Sequence, residues 1–283
     1  MLLAVPNVSE GRDLPAIQAM ARGFDAWLLD VHSDPDHHRT VFTLAGEPGR
    51  LAAAVRDGVR ESIERIDLNS HVGLHPRVGA VDVAPIVYLS DAERGAACAE
   101  ALVLADMLGG ELDLPVFLYG ILAAGRTRAA VRRGGPARLA DRIERGELRP
   151  DFGPRRLHPT AGAVLVSARP PLIAFNVELA PPAALDDART IAASIREGGT
   201  GGLESVRAIG LWLTHRDVAQ VSMNIEDHHS TRLADVIAAI EAHAPVAEAE
   251  LVGLAPHDAF EGFPQHVPVR NKRLIEEALR ANA

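Results

Sequence analysis

Between His71 and Tyr88 the chain reads HVGLHPRVGAVDVAPIVY, and its first seven residues hold two histidines, a glycine, a proline and an arginine. An imidazole titrates near neutral pH, so it can take up and return a proton at modest cost. Pro76 biases His75 toward extended backbone, which limits where that ring can point, and Arg77 adds a permanent charge close by. Such residues suit proton shuttling. A turn histidine that only hydrogen-bonds a carbonyl would use the same types. The alternating run from Val81 to Leu89 predicts a strand directly afterwards, so the segment reads as a reactive loop on a rigid element.

Two other stretches carry chemistry. The run His32-Ser33-Asp34-Pro35-Asp36-His37-His38 has ligand-type side chains, but their spacing matches no recognised metal motif, and a solvated hairpin loop is the expectation. A metal hydrolase built on His32, Asp34, Asp36, His37 and His38 is the corresponding alternative. Arg39 opens the next strand, where it can be aimed at a carboxylate. Near the start, Asn7 to Arg12 reads as a loop between a strand and a helix capped by Asp13. Its backbone N–H groups suit an anion, with Asn7, Ser9 and Arg12 adding side chains; ordinary capping is the other reading.

The elements that must position these residues follow from periodicity. Met1 to Pro6 is a strand, Ala26 to Val31 and Arg39 to Leu44 are two more, and Leu51 to Ile66 is an amphipathic helix. After the strand at 81 to 89, a helix runs from Asp91 to about Leu108 and stops at Gly109-Gly110, and Leu114 to Ile121 is a strand. This half reads as β-α-β-β-α-β, the split β-α-β arrangement. From Arg126 to Arg149 the pattern breaks around eight arginines, either a solvated connection or an electropositive wall. Ala163 to Val166 and Leu172 to Leu179 form a hairpin around Arg169-Pro170-Pro171. A helix at Asp186 to Glu197, strands at Val206 to Leu213 and Ala219 to Ile225, a helix at Arg232 to Ala244 and a strand at Ala249 to Leu254 then repeat the order. The expected fold is therefore α/β, two ferredoxin-like subdomains over 1–170 and 171–283 with a ligand cleft between them. No role is read for 257–283.

Totals set the class. With 283 residues, 47% hydrophobic and 24% charged, the chain has the composition of a globular protein. A net charge of −9 argues against sequence-independent nucleic-acid binding. No apolar run reaches membrane-spanning length, and the opening MLLAVPNVSEGRD turns polar early, so a cytoplasmic protein without membrane contact is expected. Cys98 is the sole cysteine, which rules out an internal disulfide and suggests a buried thiol.

Eight segments in order resemble the formiminotransferase domain family: VPNVSEGRD (5–13), HRTVFTLAGEP (38–48), HVGLHPRVGAVDVAP (71–85), PVFLYG (115–120), PDFGPRRLHPTAGA (150–163), LIAFNVEL (172–179), AQVSMNIED (219–227) and LVGLAP (251–256). The resemblance implies transfer of a formimidoyl group from N-formimidoyl-L-glutamate to N5 of tetrahydrofolate in histidine degradation, by a stand-alone homodimer without a cyclodeaminase domain. Tetrahydrofolate would be the co-substrate, and no metal is implied. The family's catalytic histidine falls on His75. Its folate loop falls on Gly153, Pro154, Arg155, Arg156, Leu157, His158, Pro159, Thr160, Ala161 and Gly162. Asn7, Ser9, Glu10, Arg12, Arg39, Arg77 and Asp82 are candidates to hold formimidoylglutamate or orient the site. Leu74 stands where family members carry an acidic residue, Thr160-Ala161 replaces a Ser-Trp pair that could stack on folate, and Thr200 to Ser205 lacks lysines that would suit polyglutamate tails. These departures keep a relative with an altered donor, such as formyl, or one without turnover, as the alternative.

Overall fold

Pro6 has no N–H to give to a ladder, and the opening strand is split around it into β1 (Leu2–Ala4) and β2 (Asn7–Val8). Asn7 and Val8 thus lie in the sheet rather than in the loop expected from their sequence. The structure, a computed structural model, describes residues 1–72 and 76–282, and the chain divides into two units, Met1–Pro170 and Pro171–Ala283.

In the first unit, β1 and β2 are followed by α1 (Leu14–Gly23), the hairpin β3 (Trp27–Asp34) and β4 (Arg39–Gly46), α2 (Leu51–Arg65) and β5 (Val81–Val87). β4 lies antiparallel to β1 and β2, and these lie antiparallel to β5, which gives the spatial order β3, β4, β1/β2, β5 of a ferredoxin-like unit. The sheet does not end there. The chain continues through α3 (Arg94–Glu111), β6 (Val116–Leu118), α4 (Arg128–Arg132), α5 (Gly135–Glu144) and β7 (Val164–Arg169), and β7 adds parallel to β5, with β6 parallel beyond it. The sheet has seven strands among the described residues.

Burial on both faces explains that extension. Ala84, Ile86, Val116, Val164 and Val166 pack with Met20, Val55 and Leu104 from α1 to α3, whereas Val83, Phe117 and Leu165 pack into a second core with Val131, Leu139 and Ile143 of α4 and α5. Strands covered twice have no polar face, and β5 is buried along its whole length. Two expectations change as a result. The arginine-rich stretch is two short helices that cover the sheet, not a break, and the segment at 163 to 169 is an inner strand of the first sheet, not half of a hairpin with 172 to 179. The glycine pair also does not stop α3, which runs on to Glu111. A Cβ on Gly109 would stand 2.6 Å from the Gly153 nitrogen, so this glycine serves the close approach of a neighbouring loop. Cys98, expected buried, is partly exposed on α3.

The second unit comprises β8 (Ile173–Leu179), α6 (Leu185–Ile195), β9 (Val206–Leu213), β10 (Val218–Ile225), α7 (Leu233–Glu241), β11 (Val246–Val252), β12 (Val269–Arg270) and α8 (Ile275–Ala281). Its strand order, β12, β11, β8, β10, β9, is again ferredoxin-like with one added edge strand. Phe175, Val177, Val221 and Leu251 face α6 and α7, while Glu178 on the opposite face pairs with Arg216 at 2.9 Å and Arg270 at 2.6 Å. Segment 257–283, unread in the sequence, supplies β12 and α8 to this unit.

Helix α2 has no capping side chain of its own at Arg50. Buried Glu100, on α3, supplies the acceptors instead, taking the N–H groups of Gly49 and Ala52 at 2.6 Å each. Replacing Glu100 by Ala orphans two donors, and a loss of about 1–3 kcal/mol is expected from urea denaturation. An unchanged midpoint would show that water reaches these groups.

Candidate active site

His75, with Gly73 and Leu74, lies outside the described residues, so the site is built from what flanks it. On one side is His71. Arg77 donates to His71 Nδ1, which leaves Nε2 carrying the proton and donating to the His38 carbonyl at 3.3 Å. Burial lowers the His71 pKa to about 4, with the Arg77 charge and His38 adding to the effect. The ring is therefore neutral at neutral pH. His38 stacks against it at 4.2 Å between centroids and is held in a left-handed conformation at φ 49°. Burial and the charges of Arg12 and Arg77 push His38 down as well, against the pull of Glu10, whose Oε1 lies 3.7 Å from His38 Nδ1.

Glu10 hangs from the loop after β2. Burial by itself would raise its pKa, but N–H donation from Asp13 (3.0 Å) and Arg12 (2.7 Å) and the nearby His38 bring it below the ordinary value. The loop is pinned from both ends. Asn7 donates to the Val5 carbonyl and Ser9 to the Gly79 carbonyl, each at 2.8 Å, and Thr40 donates to the Glu10 carbonyl at 2.6 Å. Asn7 and Ser9, candidate ligand contacts, thus each give one donor to holding the backbone. Asp13 caps α1 through the Ala16 N–H, as its position before Pro15 suggests. Arg12 is exposed and donates to the Pro35 carbonyl at 2.9 Å.

On the other side of the reactive stretch stands Asp82. The pairing of β2 with β5 jumps from Asn7 opposite Val83 to Val8 opposite Val81, so Asp82 is the extra residue of a bulge. Its buried carboxylate accepts the Val78 N–H at 2.8 Å and forms an ion pair with Arg132 of α4. Arg39 and Arg77 both feel it. Burial brings Arg39 down to about 10, Asp82 opposing and Arg132 and Arg128 reinforcing, and burial lowers Arg77 in the same way. Both guanidiniums stay charged at neutral pH.

Residues 153–162 pack against this assembly. Leu68 donates to the Thr160 carbonyl at 2.9 Å, Asn69 to the Pro159 carbonyl at 3.1 Å, and Ala80 to the Ala161 carbonyl at 2.9 Å. Gly79 and Gly162 form a bridge, and a Cβ on Gly79 would lie 1.8 Å from the Ala163 oxygen, so only glycine fits. The turn is closed by His158, whose Nδ1 accepts the Ala161 N–H at 3.0 Å. Two segments found separately in the sequence therefore sit side by side. Ala161 is buried against the core. Arg155 and Arg156 are exposed, and Arg156 reaches Asp113 at 3.3 Å.

Three side chains of this assembly carry no signal for it in the sequence. His38 reads as part of a hairpin loop, His71 has no role beside His75, and Arg132 is one arginine in a run of eight. No local signal separates Arg132 from its neighbours, because its partner is fifty residues away. In the His32 to His38 loop, Asp34 accepts from the Asp36 and His37 N–H groups and contacts His37 Nδ1 at 2.5 Å, which makes it a turn-forming carboxylate. Among the described residues these side chains form no metal-ligand cluster.

Residues 1–169 match the family model described as formiminotransferase domain, N-terminal subdomain, and residues 174–280 match that described as formiminotransferase domain. The chain is 37% identical over 293 residues to the glutamate formimidoyltransferase of Streptococcus pyogenes serotype M1, covering 96% of this chain and 97% of that protein. It is 34% identical to the glutamate formimidoyltransferase of Thermoplasma acidophilum, over 90% of this chain and 88% of the relative. Against the formimidoyltransferase-cyclodeaminase of Mus musculus it is 36% identical over 90% of its own length but spans only 50% of the mouse protein.

Breaking the Asp82 pair leaves a carboxylate buried without its cation. Arg132→Met is expected to cost about 3–5 kcal/mol in denaturant unfolding, and adding Asp82→Asn to recover part of it; a single variant as stable as the parent would show the pair to be solvated. A second outcome follows from His71. The unfolded ring binds a proton near pH 6.5 and the folded one only near 4, so stability falls as pH drops through that window and levels off below it. His71→Asn should flatten that part of the curve, and an unaltered slope would mean that His71 is not the group responsible.

Proposed function

Because the chain belongs to the formiminotransferase domain family, we infer that it is a one-carbon group transferase: it moves the formimidoyl group of N-formimidoyl-L-glutamate to N5 of tetrahydrofolate, releasing L-glutamate. The observation that carries this reading is the match to a glutamate formimidoyltransferase along 96% of this chain and 97% of that relative. Tetrahydrofolate is the co-substrate.

The chemistry needs one proton moved twice. N5 attacks the amidine carbon, the N5 proton leaves, and the glutamate nitrogen takes a proton as the C–N bond to it breaks. His75 is the shuttle in this reading. A base in this role must be neutral before N5 gives up its proton. Arg77 is two residues away in sequence, and its guanidinium, which adds to the larger effect of burial at His71, disfavours a second cation nearby. Formimidoylglutamate carries two carboxylates, and Arg39 and Arg77 are partly buried guanidiniums that remain charged, suited to bind one each. Glu10 and His38 would orient the amidine, Asp82 holds Val78 and Arg132 in place, and the folded loop of residues 153–162 would receive the pterin beside the reactive stretch. The family reading carries with it a cytoplasmic homodimer; no helix among the described residues is long and apolar enough to cross a membrane.

Purified protein incubated with tetrahydrofolate and formimidoylglutamate should form 5-formimidoyltetrahydrofolate, and His75→Ala should lower kcat by about a hundredfold or more with unchanged thermal unfolding. Folate binding without product in the parent protein would point to the non-catalytic relative. Full activity in the variant would remove His75 from the mechanism.

A further inference from the structure

A second cluster of chemically capable side chains lies in the other unit, among residues given no part in the transfer above. The turn between β10 and α7 carries adjacent His228 and His229, and the 3-10 turn His257–Phe260 carries Asp258. One donor atom from each of the three lies within 4.8 Å of the others. His228 Nε2 stands 3.0 Å from Asp258 Oδ1, and His229 Nδ1 stands 3.8 Å from Asp258 Oδ2. These separations bracket the ~3.3 Å between donors of a tetrahedral zinc site with bonds near ~2.0 Å.

We propose that His228, His229 and Asp258 form a surface site for a divalent zinc-like ion, with water completing the coordination. Neighbouring histidines in a turn usually diverge, but these two rings lie 4.0 Å apart between centroids and present nitrogens to the same carboxylate. The turn is shaped beforehand. Asp227 accepts the His229 N–H at 2.9 Å and the Ser230 hydroxyl at 2.8 Å, and Thr231 donates to the Glu204 carbonyl at 2.7 Å. Asp258 is anchored equally well, because its 3-10 turn places Phe260 against Phe175 in the core. His228 is buried while His229 is open to solvent, so the ion has a fixed inner ligand and a free path of entry. Two imidazole nitrogens of borderline softness outnumber the one hard carboxylate, which favours Zn2+ over Ca2+ or Mg2+. The ion would staple two loops that are distant in sequence, a structural role separate from the transfer chemistry.

Titration calorimetry of the chelator-treated full chain with Zn2+ tests the assignment. One binding event per chain is expected, weakened at least about tenfold by His229→Ala and by Asp258→Asn. Both changes are at exposed side chains, and unfolding in the presence of chelator should match the parent protein. Co2+ loaded in place of Zn2+ should show the strong visible absorption of a tetrahedral complex, lost in both variants. Absence of binding, or binding that survives both substitutions, overturns the site and leaves Asp258 as an ion-pair partner of His228.

Discussion

A single buried carboxylate organises the first unit. Asp82 is the extra residue of a bulge, and an extra residue in a strand turns its side chain away from the regular alternation. Once buried, its charge requires compensation, which comes from the Val78 N–H and the Arg132 guanidinium. The first of these fixes the C-terminal anchor of the reactive stretch. The second ties α4, and with it the helical cover on the second face of the sheet, to the same point. The entry to β5 at Val78 and the closure of the second core are therefore linked through one carboxylate.

Charge balance at the site follows from crowding. Arg39, Arg77 and Arg132 converge in a protein whose net charge is −9, and among them Asp82 is the buried countercharge. Burial, with the Arg77 charge and His38 adding to it, holds the His71 imidazole neutral. Neutral imidazole is the form that can accept a proton.

The two units use one topology differently. The second puts buried polar groups on one face of its sheet, where Glu178 is bracketed by Arg216 and Arg270. The first buries both faces along β5, β6 and β7. Only the twice-covered sheet can carry an inner parallel strand such as β7, because a single layer of helices would leave its other side chains in water.

The α/β class, the two β-α-β-β-α-β orders and the boundaries of β9 and much of α2 were legible from the chain alone, since hydrophobic period and turn residues act over a few positions. Family resemblance was legible too, because eight collinear segments preserve residue types in order. What only the tertiary structure decided involves partners far apart in sequence. The destination of β7, the survival of α3 through Gly109-Gly110, the cap that Glu100 gives α2 and the selection of Arg132 from eight arginines each depend on a group forty-four or more residues away. Local pattern carries no record of such pairings: they arise where burial forces a polar or glycine position to meet whatever the fold brings against it.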